Sequence, residues 1–449
     1  MLIASETVEC EFGALIMSVD RRSLLTGGAL LALAASTPAK AAAQGPASAS
    51  KALKNTAVYV PGYFPENAFA NGKPVGNNRR FNRAIRSSDP ISKMLTRVGF
   101  DGSIRQVLLP VAAHDVEVSP DRSIGVLCSM DGDRHSSFDP DTLEMAAVAS
   151  SAGEGWRGGG HAVYLDGGST VILSERAPAA PYQGRMEAHY GRLTVRDPKT
   201  LKIAQSYSTH GIDPHDIRLT ADGKYIVAAN YGSTVSAETG AHTIPRTVVQ
   251  ASITVVEVAS GKLVDKRVTG KGNVELRHLA AGGLDRIFAI QALYGSDRAD
   301  SRQLGAEDVA YESDITTEPG YNYMAAATLK YDASKGKVTK MGDRAANRVM
   351  RHGLSIRYDE KHDEAIASYP TSHQLMIFDG ASGEVTKRFD TRSVGLRYPC
   401  GITLLPDGAH YAVTGHWENM FVFERGTHRL VRELCLYPLF FGHSHITSA

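Results

Sequence analysis

An excess of charge of either sign is missing from this chain. Its 449 residues carry 49 Lys and Arg against 48 Asp and Glu, a net charge of +1, so no nucleic-acid or membrane-surface partner is expected. Cysteine is scarce as well, and four in the whole chain give no dense disulfide framework. Only two Trp are present. Several catalytic signatures are absent: no Gly-rich phosphate loop follows a strand, and there is no His-Glu-x-x-His, Cys-x-x-Cys, haem-attachment or nucleophile-elbow sequence. What the chain does have is 43 Gly and 19 Pro, which fit many turns, and 43% hydrophobic residues, enough for a large core.

One phrase organises the sequence. Pro214-His215-Asp216-Ile217-Arg218-Leu219 is a short alternating strand, Asp222-Gly223 a tight turn and Tyr225-Ile226-Val227 a second strand, together a β-hairpin. The phrase recurs from His114, His278 and His352, with Asp121, Asp285 and Asp359 each seven residues after the His, as Asp222 is after His215. A copy shortened at its turn starts at His161, and another has Cys400 in the His position. Such repetition means one supersecondary unit used many times.

A second phrase counts the units. A turn rich in Asp, Gly and Ser between apolar strands appears at Asp101, Asp139, Asp197, Ser260, Asp332, Asp379 and Glu424, which makes seven. Two hairpins per unit give four strands, and seven such units describe an all-β, seven-bladed β-propeller, a radial closure that leaves only short sheet edges. From each outer turn to the next inner strand the chain runs 18 to 22 residues (197 to 215, 139 to 161). The same step from Glu424 lands on the segment from Gly442 to Thr447, so this tail is expected to supply the inner strand of the first blade, closing the ring with strands from both termini.

Ahead of the propeller, Arg21-Arg22 precede a weakly apolar run from Leu30 to Ala35 and small residues through Ala43. That layout predicts a twin-arginine signal peptide over residues 17–43, with residues 1–16 an upstream start artefact, 44–53 a linker and 54–449 the propeller. A periplasmic protein with no membrane span after leader cleavage is the expectation. Folded-state export is often, though not always, associated with a cofactor inserted first.

The histidines begin inner strands, and the long insertions between second and third strands fall on the same face, around the mouth of the channel. His114, His161, His215, His278, His352, Cys400 and His443, with His445 as its alternative, would therefore point at one axis. Imidazole and thiolate are the ligands of copper, iron and zinc, so three or four of them near a common point could hold a transition metal with a position open for substrate. The ring with Arg277 and Arg351 beside it, and Glu175, Tyr231, Arg246 and Trp417 on the mouth loops, equally suits an anionic small molecule. Three readings stay open: a metal site for copper or iron, or for a metal-linked ligand; a lactonase-like small-molecule hydrolase using the same mouth; and a protein-interaction scaffold with structural histidines. Cys128 lies in an apolar strand and reads as a core thiol, and Cys400 and Cys435 could pair in an oxidising compartment.

Leu109-Pro110-Val111-Ala112-Ala113-His114, Gly160-His161-Ala162-Val163, Pro214-His215-Asp216-Ile217, Glu275-Leu276-Arg277-His278-Leu279-Ala280 and Cys400-Gly401-Ile402 resemble, in order, the motifs of the bacterial family known as domain of unknown function 1513. The likeness covers about residues 100 to 425, and related phrases occur in lactonase-like and YVTN-type (WD40-like) propellers. It implies an exported propeller, and a partner among the iron-uptake or other periplasmic proteins near whose genes such members tend to lie. The sequence departs from the family pattern at Met130-Asp131-Gly132-Asp133, where a pair of arginines is expected.

Overall fold

The computed structural model describes residues 53–65, 69–70, 73–74, 91–130, 132–234, 243–272, 274–293, 326–415, 418–440 and 445–449. The leader expected over 17–43 and the segments before and after it lie outside them. Among the described residues are seven four-stranded antiparallel sheets and one two-stranded ribbon. We number the sheets as blades in chain order. Blade 1 takes Thr447–Ser448 as its inner strand, followed outward by Ala57–Pro65, Ile91–Gly99 and Ile104–Leu108. The inner strands of blades 2 to 7 are Ala113–Val118, Arg157–Leu165, Pro214–Leu219, Val274–Ala281, Ser355–Asp359 and Pro399–Leu404, and in each blade the next three strands follow outward in chain order.

The seven-bladed reading and its closure are thus both met. Thr447 pairs with Tyr59 and Ser448 with Val58, and the backbones of Ala57 and Ala449 exchange hydrogen bonds of 2.8 and 3.0 Å. One apolar cluster fills each interface between neighbouring blades. Tyr59 and Leu95 meet Val116 and Leu127 between blades 1 and 2, for example, and Val58 and Val60 meet Ala412, Val422 and Ile446 between blades 1 and 7. Cys128 is buried in the cluster between blades 2 and 3, as a core thiol. Cys400 and Cys435 are buried and not disulfide-bonded. Among the described residues no helix is long and apolar enough to cross a membrane.

The Asp of the repeated phrase has a structural cause. Asp121 and Asp222 each accept from a backbone N–H two residues on, Ser123 and Lys224, and from a hydroxyl two residues back, so the carboxylate holds the hairpin turn closed. Asp359 does more. Fully buried, it accepts from Lys361 N and His362 Nδ1, and from Arg425 Nε of blade 7 at 2.7 Å, tying two blades together. Burial pushes its pKa up, but the Arg425 and His362 hydrogen bonds outweigh that and hold it at about 2.

Ile446→Ala should cost about 2 to 4 kcal/mol, because it empties a buried site at the closing strand. Denaturant unfolding that leaves the midpoint unchanged would show that the tail does not close the ring. Asp359 is depressed in the folded state, so its contribution of about 2 kcal/mol is present above the ordinary carboxylate pKa and fades as pH falls toward 2. Asp359→Asn should therefore be less stable than wild type at pH 7 and converge with it between pH 4 and 2, measured by thermal unfolding across that range.

Candidate metal centre

The inner strands are not regular, and their irregularity is what builds the site. In blades 2, 3, 4, 5 and 7 the pairing of the first two strands slips between Ala113 and Asp115, Gly158 and Ala162, Pro214 and Ile217, Leu276 and Leu279, and Pro399 and Ile402. His114, His161, His215, His278 and Cys400 each sit inside one of these bulges. A bulge inserts extra residues into one strand and re-aims the side chains there, so that adjacent positions no longer face opposite sides. In blade 6 the pairing runs without a slip from Ser355 to Asp359.

Five imidazoles converge. The ligand atoms of His114, His161, His215 and His445 all lie within 4.8 Å of one another. His278 joins from blade 5, its ring 5.0 Å from that of His215 and 4.8 Å from that of His445. Contact between blades 1 and 5 shows the cluster spanning the channel, not lining one wall. Gly160 makes the room. Its φ of +118° is a backbone conformation that side chains rarely adopt, and a Cβ there would come within 2.9 Å of His114 Cδ2 and 3.1 Å of His215 Cε1.

Two of the rings are oriented from behind by the preceding blade. His161 Nδ1 lies 2.7 Å from Asp115 Oδ2, and His215 Nδ1 donates to the carbonyl of Gly159 at 2.7 Å. Both contacts commit Nδ1 and leave Nε2 as the ligand atom, which is how carboxylates and carbonyls orient metal-binding imidazoles. His161 Nε2 is buried and has no hydrogen-bond partner, an arrangement that costs stability unless something else binds there. Burial first, and then the neighbouring imidazoles, push His215, His278 and His445 well below the ordinary imidazole range, so these rings are neutral at pH 7. Neutral imidazole is the ligand form.

Behind the rings lies a charged layer. Asp216 accepts from Leu279 N at 3.0 Å, and Arg218 reaches Asp216 and Glu117 at 3.2 Å each. Burial and the nearby Asp115 carboxylate raise Glu117 to about 7. The cations Arg218 and the half-buried Arg357 balance these acids.

Other candidate residues are placed differently. His352 falls three residues before its strand, at φ 52° in a bend, because blade 6 has no bulge to carry it inward; it belongs to neither converging set of ligand atoms. Cys400 sits in the blade 7 bulge but is likewise outside both sets, and its carbonyl accepts from Ser368 Oγ at 2.6 Å. His443 lies outside the described residues, and the tail histidine in the cluster is His445. Tyr231 is buried with its ring 4.9 Å from that of His215, a wall of the site. The Glu175 carboxylate is fully engaged by Arg196, Thr194 Oγ1 and Ala152 N. Arg277 pairs with Glu275 at 3.1 Å, and Arg351 donates to the Met350 carbonyl at 2.8 Å. Arg246 opens a short 3-10 turn whose side chain is not described, and Trp417 lies outside the described residues. Asp115 and Asp216 were not foreseen, although each stands directly after a ring histidine in the sequence.

A family model described as "Protein of unknown function (DUF1513)" matches residues 107–433. The chain belongs to the DUF1513 family. The match takes in four of the five converging histidines, while His445 lies beyond it, so this DUF1513 protein completes its cluster with a residue outside the matched region. Among solved structures, Kuenenia stuttgartiensis hydrazine synthase is similar with a TM-score of 0.53 at 15% identity, over 75% of this chain and 92% of that one. At that identity the likeness concerns the fold alone. No curated protein matches the chain.

Gly160→Ala should destabilise the protein by about 1 to 3 kcal/mol through strain and displaced rings. Unfolding midpoints, together with shifts of the histidine ring protons in NMR spectra, would report it; unchanged ring signals would mean the glycine does not set their spacing.

Proposed function

We propose that this chain is an exported, periplasmic propeller that holds a transition metal, copper or iron, at its buried imidazole cluster and serves metal uptake or redox chemistry as an accessory protein. One observation carries the reading: His161 is pinned by Asp115 through Nδ1, and its Nε2 is buried without a partner among three other imidazoles whose ligand atoms lie within 4.8 Å. Ligand nitrogens about 2 Å from a common ion lie some 3.3 Å apart, so small movements of the rings suffice. The donor set supports the choice of ion. It contains neither thiolate nor an exposed carboxylate, and neutral imidazoles suit copper, iron, nickel and zinc, with copper favoured among divalent ions by intrinsic affinity. Twin-arginine export of an already folded chain fits a metal inserted before the ring closes around it.

A bound ion would supply Lewis acidity or a redox couple. The chain's own residues would orient it: Asp115 and the Gly159 carbonyl fix the rings of His161 and His215, and Tyr231 packs against His215. Entry of an anion at the mouth would meet Arg277 already held by Glu275, which supports the metal reading over a hydrolase that uses this arginine.

Elemental analysis of protein purified without chelator or affinity tag should find at least one equivalent of copper or iron. The His161→Ala/His215→Ala double variant should hold almost none, and Asp115→Asn should bind 10- to 100-fold more weakly, the usual effect of removing a carboxylate behind a ligating imidazole. Equal and negligible metal in wild type and the double variant would end the proposal.

A further inference from the structure

A second set of donors shares His161 with the first. His161, Asp216 and His278, all buried, each offer an atom within 4.8 Å of the others. His161 Nδ1 lies 2.7 Å from Asp115 Oδ2 and 3.4 Å from Asp216 Oδ1, and His278 Nδ1 lies 3.9 Å from Asp216 Oδ2. Asp115 Oδ1 and Asp216 Oδ1 are both buried with no hydrogen-bond partner, although Arg218 lies 3.2 Å from the latter. The ring of His161 thus turns one nitrogen toward carboxylates and leaves the other for the imidazole cluster.

We propose that the channel holds two first-row transition cations bridged by His161. The first is the ion of the imidazole cluster, bound at His161 Nε2. The second is held by His161 Nδ1, Asp216 and His278, with Asp115 within reach. This rests on the reading of the cluster as a metal site. Its formation replaces the Nδ1–H bond by a metal–nitrogen bond, and the proton leaves to solvent. A mixed imidazole and carboxylate set takes a harder ion than four imidazoles do, so zinc, iron or manganese fits the second position and copper the first.

Metal-free protein is loaded with Zn(II), desalted and analysed for bound zinc; wild type should retain two equivalents and Asp216→Asn one. Asn keeps an acceptor for Leu279 N, and Asp216→Ser, which keeps one as well, reads the same loss if Asp216→Asn does not fold. Loaded with Cu(II) instead, wild type should show fewer than one unpaired spin per copper in electron paramagnetic resonance, because a bridging imidazolate couples the ions. Asp216→Asn should show one spin per copper. One equivalent in both proteins overturns the second site and spares the first. Two equivalents in both proteins place the additional ion elsewhere and overturn it too. No zinc in wild type, with no copper in the imidazole cluster, removes the underlying reading as well.

Discussion

The site depends on a backbone irregularity at the head of the inner strands. A regular strand would send His and the following residue to opposite faces, one toward the axis and one into the sheet interface. Where the pairing slips at Ala113–Asp115 and at Pro214–Ile217, both members of the His-Asp pair turn to the channel, so that His161 can meet Asp115 from one side and Asp216 from the other. Orientation of the rings, the carboxylate layer behind them and the packing across the channel all follow from that slip. Blade 6 is the internal control. Its inner strand pairs without a break, and its histidine stays out.

Burial then decides the electrostatics. Five imidazoles packed ring against ring cannot all carry charge, since each protonation would place a cation beside others in a water-poor space. Desolvation is the largest influence on His215, His278 and His445, and the neighbours add to it. Where Nδ1 is committed, as in His161 and His215, the other nitrogen is turned toward the neighbouring rings, an arrangement favourable around a cation. The acids behind them are handled differently: burial raises Asp115, but the His161 hydrogen bond and the nearby cations Arg218 and Arg357 outweigh it and lower it, whereas Glu117 rises to about 7.

Much of the architecture was legible because it rests on period and turn chemistry. The Asp seven residues after each histidine closes a hairpin turn through short-range hydrogen bonds, and a signal that local survives in sequence. Counting outer turns gave the number of blades, and the even step between phrases located the closing tail. The site was less legible for a matching reason. Alternation, the rule that found the strands, places Asp115 and Asp216 on the wrong face, so neither was picked out. Sequence spacing also puts His352 in register with His215, since both stand seven before an Asp; whether a bulge forms depends on pairing with the second strand, which no single phrase encodes. His443 and His445 differ by two residues, so an alternation rule cannot choose between them; the structure brings His445 into the cluster, and His443 lies outside the described residues.

The cluster also runs against stability, which bears on why it exists. A buried nitrogen without a partner, such as His161 Nε2, costs on the order of 1 to 3 kcal/mol, and apolar residues of similar size would fill the channel without that loss. A scaffold with purely structural histidines would satisfy each ring through backbone carbonyls, as His215 Nδ1 is satisfied by Gly159. Here the second nitrogen of His161 finds no such group. Seven apolar blade interfaces closed by the C-terminal strand make a frame stiff enough to hold strained and unsatisfied groups together, and sites of that kind are where binding is found. On the metal reading proposed above, the energy stored against folding would be recovered on binding a cation at the position that the rings surround.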